Sequence, residues 1–282
     1  MPVNEMFEDD LAISYESSTG GCTRELAIHI LDILPSIDVN SNVLDNACGN
    51  GIVAQEFFYR YPDTPLTMTC VDKVKDMVDL ARRSVPICTT STANISFDVM
   101  DGENLLLPDN TFTHSVTNCG IFFFEDAVKG ASEIYRTLKP GGTAVITTWK
   151  NYNYIQIIHE AQQLVKPDEE LLKWAVADEW STASHLQDTL EKGGFRDIQI
   201  QEKLVYYATK SIEELCGNIM DIWTHLGPKW TEEENAELGR HILEIGKRSA
   251  VKIKRPVNGK RGAELVDVVG LPREAHIAIA RK

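Results

Sequence analysis

Short apolar runs, each closed by an acid or a small polar residue, recur along the first half of the chain, and helical periodicity fills the intervals. Leu26, Ile30 and Leu34 share one helical face, which predicts a helix over 22–34 closed by Pro35. Val43 and Leu44 read as the end of a buried strand that leaves the sheet at Asp45, and 52–60 reads as a helix. A second strand over 66–71 ends in Asp72, followed by a helix over 75–83. A third strand over 95–100 precedes Asp101, and a fourth runs over 112–118. The helix expected over 127–138 is stopped by Lys139-Pro140-Gly141-Gly142, and the β-branched stretch 143–149 reads as a fifth strand. Five strands alternating with helices predict an α/β fold with a doubly wound, mostly parallel sheet.

The second half changes character. Residues 152–191 read as helical, with Trp174 and Trp180 included, and Gly193-Gly194 ends them. A strand follows over 198–207, then a helical stretch over 211–252 interrupted by Gly227-Pro228, and a last strand over 275–280. No repeat or flexible linker is visible. The expectation is one domain over 1–282, with a core over about 22–150. Helical cap segments cover about 151–192 and 211–254, and closing strands about 198–207 and 275–280.

Composition narrows the function more than the fold. A net charge of −14 argues against a general nucleic-acid or anionic-membrane surface. No apolar run approaches the roughly 20 residues needed to span a bilayer. The first residues lack the basic and apolar regions of a secretion signal, so the expected location is cytoplasmic. The six cysteines are scattered, with no zinc-type spacing, so neither a metal site nor a disulfide framework is expected.

Candidate chemistry starts at Asp45-Asn46-Ala47-Cys48-Gly49-Asn50-Gly51. A strand, an acid, a glycine turn and a helix build a nucleoside-cofactor site at the carboxyl edge of a parallel sheet. This run resembles motif I of the class I S-adenosylmethionine (SAM) methyltransferases, D-x-A-C-G-x-G. Leu138-Lys139-Pro140-Gly141-Gly142 likewise resembles that family's turn before its fifth strand. The resemblance implies a Rossmann-like, seven-stranded sheet closed by an antiparallel pair, and SAM as cofactor.

The cofactor positions follow from that match. The ammonium of the methionyl tail suits acceptors around Asp45, Ala47, Gly49 and Gly51. Asp72, one βαβ step later, is placed to accept both ribose hydroxyls, with Met77 against the adenine face. Met100-Asp101-Gly102 resembles the segment that recognises adenine. Asn118 ends the fourth strand, where the family makes backbone contacts to the cofactor. Tyr15 is the candidate for the methionyl carboxylate. Three acids at successive strand ends form one rim, more specific than any member alone.

The acceptor is less defined. The aromatic cap favours a planar or apolar small molecule, with Phe122, Phe123, Trp149 and Tyr154 as candidate contacts. Segments 148–154 and 230–233 resemble small fungal natural-product methyltransferases, thiol-capping enzymes among them. That implies a methyl transfer to a thiol, hydroxyl or amide nitrogen of a secondary metabolite. Holding the reactants aligned supplies much of such catalysis; if a base is needed, His159 and His225 on the cap helices are the candidates. Two rivals remain at this point. One is a nicotinamide-dependent reductase, disfavoured by the acid inside the turn motif. The other binds SAM without methyl transfer, as a pericyclic catalyst or a scaffold. Oligomeric state is not legible.

Overall fold

The computed structural model describes residues 18–85, 94–256 and 263–282. Helix α1 (Cys22–Ile33) buries Leu26, Ala27, Ile30 and Leu31 and leads into β1 (Asn42–Asn46). Then follow α2 (Ile52–Arg60), β2 (Thr67–Asp72), α3 (Lys75–Ser84), β3 (Asn94–Val99) and β4 (Phe112–Asn118). A 3₁₀ turn (Ile121–Phe123), α4 (Ala127–Thr137) and β5 (Leu138–Trp149) complete the first half. The second half contains α5 (Asn153–Val165), α6 (Ala183–Lys192) and β6 (Asp197–Thr209). It ends with α7 (Ile212–Leu226), α8 (Glu232–Ser249), β7 (Val251–Pro256) and β8 (Leu265–Arg281).

The strands lie in the order β3-β2-β1-β4-β5-β8-β6, with β7 paired to β8 off this path. Strands β1 to β5 are mutually parallel, and β8 runs antiparallel to both β5 and β6. The chain winds outward from β1 through β2 to β3, then returns to β4 on the other side of β1. That reversal opens a crevice between the carboxyl ends of β1 and β4, where ligands bind in open α/β sheets. The principal hydrophobic cluster packs α1 to α4 on the sheet, Leu44, Val116 and Ile146 among its fully buried residues. A second cluster joins α5, α7 and α8, with Ile158, Trp223 and Ile242 inside it.

Three sequence expectations need correction. The helical stretch 152–191 is broken, because Pro167 cannot continue α5 and Thr182 starts α6 anew by accepting from the His185 amide. Residues 251–252, expected in a helix, begin an eighth strand, where Val251 and Ile253 alternate with Lys252 and Lys254. Finally, β8 starts at Leu265 rather than 275. Gly270 and Pro272 disguise its first half. Pairing with β7 ends at Gly270 and pairing with β5 begins at Ala275, so Pro272 occupies a gap where β8 has β6 alone beside it. A proline is tolerated there because its missing N–H breaks no ladder. The Leu138-to-Gly142 turn survives as a bulge: Leu138 pairs with Phe112, and Thr143 already pairs with His114.

Candidate functional site

The β1–α2 connection builds the centre of the crevice. Ala47, Gly49 and Gly51 all adopt positive φ, which turns the chain sharply out of the strand. The two glycines are needed for different reasons. A Cβ added to Gly49 would meet nothing within 4 Å, so the space above it is free for a ligand. One added to Gly51 would lie 3.0 Å from the Ala81 Cβ, so that glycine lets α3 pack against the turn.

Asp45 is fully buried, and neither carboxylate oxygen has a hydrogen-bond partner among the described residues. Burial, and secondarily the neighbouring charge of Asp72, push its carboxyl up to about 8; the Ala54 amide acts weakly the other way. It lines a pocket partly open to solvent, with Ala47, Cys48, Gly49 and Asn50 of the turn. Thr23 of α1 and Asn118 of β4 close the same pocket. An orphaned acid beneath an open glycine turn is a fitting receptor for a cationic ammonium, and it leaves no pyrophosphate cradle. The residues therefore fit the methionyl end of SAM.

Asp72 ends β2 beside this turn. The Gly49 amide donates to its Oδ2 at 2.8 Å and the Val74 amide to its Oδ1 at 2.9 Å. Burial raises its carboxyl while these amides oppose the shift. A carboxylate has about four lone-pair sites, so each oxygen retains capacity for a ribose hydroxyl. Asp101 lies at the next strand end, where Lys73 Nζ reaches its Oδ2 at 3.2 Å and the Glu103 amide donates to Oδ1. Gly102 admits no side chain, since a Cβ there would sit 2.5 Å from the Phe124 ring and 2.7 Å from Asn46 Oδ1.

Other expected positions distribute unevenly. Met77 is buried in α3 and Met100 accepts the Leu106 amide on its sulfur; neither lines the pocket. The Asn118 side chain is spent on scaffolding, donating to the Thr23 carbonyl and accepting from the Thr147 hydroxyl. Tyr15 lies outside the described residues. Phe122 is buried against Phe123 and Trp180, with ring centroids 4.6 and 6.4 Å away. Trp149 and Tyr154 are buried in a second aromatic group beside Arg273.

The two histidines fall elsewhere. His159 Nε2 bonds the Leu172 carbonyl at 2.8 Å, and exposed His225 turns back to the Asp221 carbonyl of its own helix. Neither lines the pocket. Trp223 and Trp230 form an edge-on pair between α7 and α8, with indoles bonded to Asn235 and Glu169, so they serve the cap's own packing. Sequence reasoning missed Thr23, whose only signal is its place at the start of α1. It also missed Glu103, which accepts the Glu125 and Asp126 amides and anchors the entry to α4.

Comparison with known proteins bears on the domain and the fold. A methyltransferase-domain family matches residues 43–142, from β1 through the bulge of β5. Methyltransferase ucsB of Acremonium sp is 26% identical over 213 residues, covering 71% of this chain and 73% of that protein. The acetylaranotin bis-thiomethyltransferase of Aspergillus terreus is 25% identical over 252 residues, covering 85% and 82%. In fold, the chain is similar to Haemonchus contortus phosphoethanolamine N-methyltransferase 2 in complex with S-adenosyl-L-methionine. The TM-score is 0.55 at 17% identity, over 98% of this chain and 58% of that one. With the switch-point pocket, the orphaned acid and the matched domain together, the chain carries a methyltransferase domain and resembles the class I SAM-dependent methyltransferases.

Proposed function

We propose that this methyltransferase acts on the thiol, hydroxyl or amide nitrogen of a small-molecule acceptor of fungal secondary metabolism. The observation that carries the reading is the buried, unpartnered Asp45 carboxyl beneath the open space at Gly49. Asp45 and the turn from Ala47 to Asn50 would hold the methionyl end of SAM, Asp72 the ribose, and Asp101 with the buried Gly102 the adenine side. When bound, SAM supplies a methyl group already activated on a sulfonium. The chain's own task is then to align the acceptor and exclude water. Phe122, Trp149 and Tyr154 provide apolar walls, in keeping with a small and partly planar acceptor.

The bonding of His159 and His225 favours transfer by positioning, without a dedicated histidine base. A thiol fits this best, because a few per cent is already thiolate near neutral pH. The relatives named for thiol and other small-molecule methylation support the same class. No helix among the described residues is long and apolar enough to cross a membrane. The five described cysteines are free and buried, which supports the reducing, cytoplasmic setting we infer.

The test is incubation with methyl-labelled SAM and a panel of thiols, phenols and cyclic dipeptides. The expected result is label on a thiol or an acidic hydroxyl, with His159→Ala and His225→Ala retaining near-normal rates. A loss of about a hundredfold in either variant would instead assign it as general base. No transfer to any member of the panel would contradict the reading.

A further inference from the structure

A second buried polar group lies at the carboxyl edge, and the cofactor residues do not account for it. Arg273 projects from β8 in the gap between its pairing with β7 and its pairing with β5. It is 5% exposed, and its guanidinium carbon lies 3.5 Å from the Trp149 ring centroid, 4.7 Å from Tyr152 and 5.2 Å from Tyr154. Nη1 reaches the Cys22 thiol at 3.8 Å, while Nε has no hydrogen-bond partner. Among the described residues no carboxylate pairs with it.

Two neighbours share the deficit. The Tyr152 hydroxyl and the Trp174 indole N–H are also buried without partners, and their ring centroids are 5.5 Å apart. Guanidinium and indole can only donate, and burial pushes the Tyr152 phenol above its ordinary value, so it keeps its proton. The other titratable groups near the arginine are Cys22 of α1, Cys119 after β4, Tyr154 of α5 and Tyr207 of β6. Burial raises all four, so none supplies a negative charge near neutrality. Aromatic faces offset part of the cost of a buried cation but leave its Nε–H without a partner. The cluster is a buried cation beside an indole donor and neutral phenols, with no anionic acceptor among the described residues. It also adjoins the cofactor pocket, because Thr23 and Asn118 of that pocket are the chain neighbours of Cys22 and Cys119.

We propose that Arg273, Tyr152 and Trp174 receive the methyl acceptor as an anion, a thiolate or a phenolate, with its organic part against Trp149 and Tyr154. This rests on the methyl-transfer reading above. The acceptor's proton leaves to solvent as it ionises. The anion then forms a bond to the methyl carbon as the sulfonium carbon–sulfur bond breaks, and that electron pair stays on sulfur. The products are a neutral methylated acceptor and a neutral thioether. Arg273 takes no proton; it binds substrate and lowers the pH at which the bound acceptor ionises.

The experiment uses 4-nitrophenol and 4-nitrothiophenol, whose ionised forms absorb at longer wavelength, with the full chain saturated in S-adenosylhomocysteine. Titration with pH reads the ionisation of each bound probe, and the two arms separate phenolate from thiolate. The wild type should favour the anion of at least one probe about tenfold over free solution. Arg273→Gln should abolish that shift and Arg273→Lys retain part of it, with S-adenosylhomocysteine affinity unchanged in both. Failure of the wild type to bind either probe, an unshifted ionisation, or an equal shift in Arg273→Gln would overturn the proposal. If Arg273→Gln does not fold, the comparison of wild type with Arg273→Lys decides in the same way. Labelled-SAM turnover is scored separately. A shift without transfer would remove the methyl-transfer reading, whereas transfer without a shift would remove the anion cage.

Discussion

A buried carboxyl group whose oxygens find no hydrogen-bond partner is a liability to the free protein, and a cationic ligand at Asp45 would remove it. The unfolded chain ionises this group near its ordinary 3.8, while the folded chain keeps the proton to about 8. Stability tied to the neutral form is therefore complete below about pH 4 and is lost as pH rises through that window, by up to about 1.4 kcal/mol per unit. Asp45→Asn, neutral throughout, should match the wild type near pH 4 and exceed it in melting temperature by a growing margin toward pH 8. A margin that shrinks with pH would contradict this. Asp72 has the opposite character, because two backbone amides already bond it. Asp72→Ala should lower SAM affinity by at least about tenfold, since hydrogen bonds to charged groups are worth about 1.5–3 kcal/mol each; calorimetry showing unchanged affinity would remove its role. Both acids were legible because each ends a strand within one βαβ step of the other. Arg273, Tyr152 and Trp174 were not, since their meeting depends on β8 lying beside β5, which no local pattern records.

At the scale of elements, the β7–β8 arm is fastened to α1, the helix that carries one wall of the pocket. Arg255 of β7 donates to Glu25 of α1 from Nε and Nη2, at 2.9 and 2.8 Å, and also bonds the Gly20 and Tyr206 carbonyls. Glu25 accepts the Tyr206 amide as well, so the first turn of α1 is fastened to β6 and β7 together. That turn carries Thr23, a wall of the cofactor pocket. Arg255→Met should destabilise the protein by about 1.5–3 kcal/mol and weaken SAM binding severalfold without removing it. Equal affinity in the variant, measured by calorimetry, would show that the latch does not reach the site. The arm was hidden in the sequence for two physical reasons. The helical period of α8 runs directly into the alternation of β7, and Gly270 with Pro272 imitates a loop inside β8. The parallel strands β1 to β5 were legible because burial on both faces makes each a compact apolar run.

For the whole molecule, the strand order matters more than any one motif. Reversal between β1 and β4 brings Asp45, the glycine turn and Asn118 to one crevice, and the antiparallel β8 carries the donor cage to the neighbouring strand end. Two receptors of opposite charge preference thus adjoin at one sheet edge. On the proposed reading, the acid would take the cationic end of the methyl donor and the arginine cage an electron-rich acceptor. The most direct test of this arrangement is calorimetric titration of the wild type with SAM at about pH 6.5, in two buffers of different ionisation heat. At that pH Asp45 is almost wholly protonated in the free protein, and the incoming ammonium should expel its proton. The account predicts one saturable site with release of about one proton on binding, and loss of both the proton and most of the affinity in Asp45→Asn. Binding without proton release, equally tight in Asp45→Asn, would contradict it.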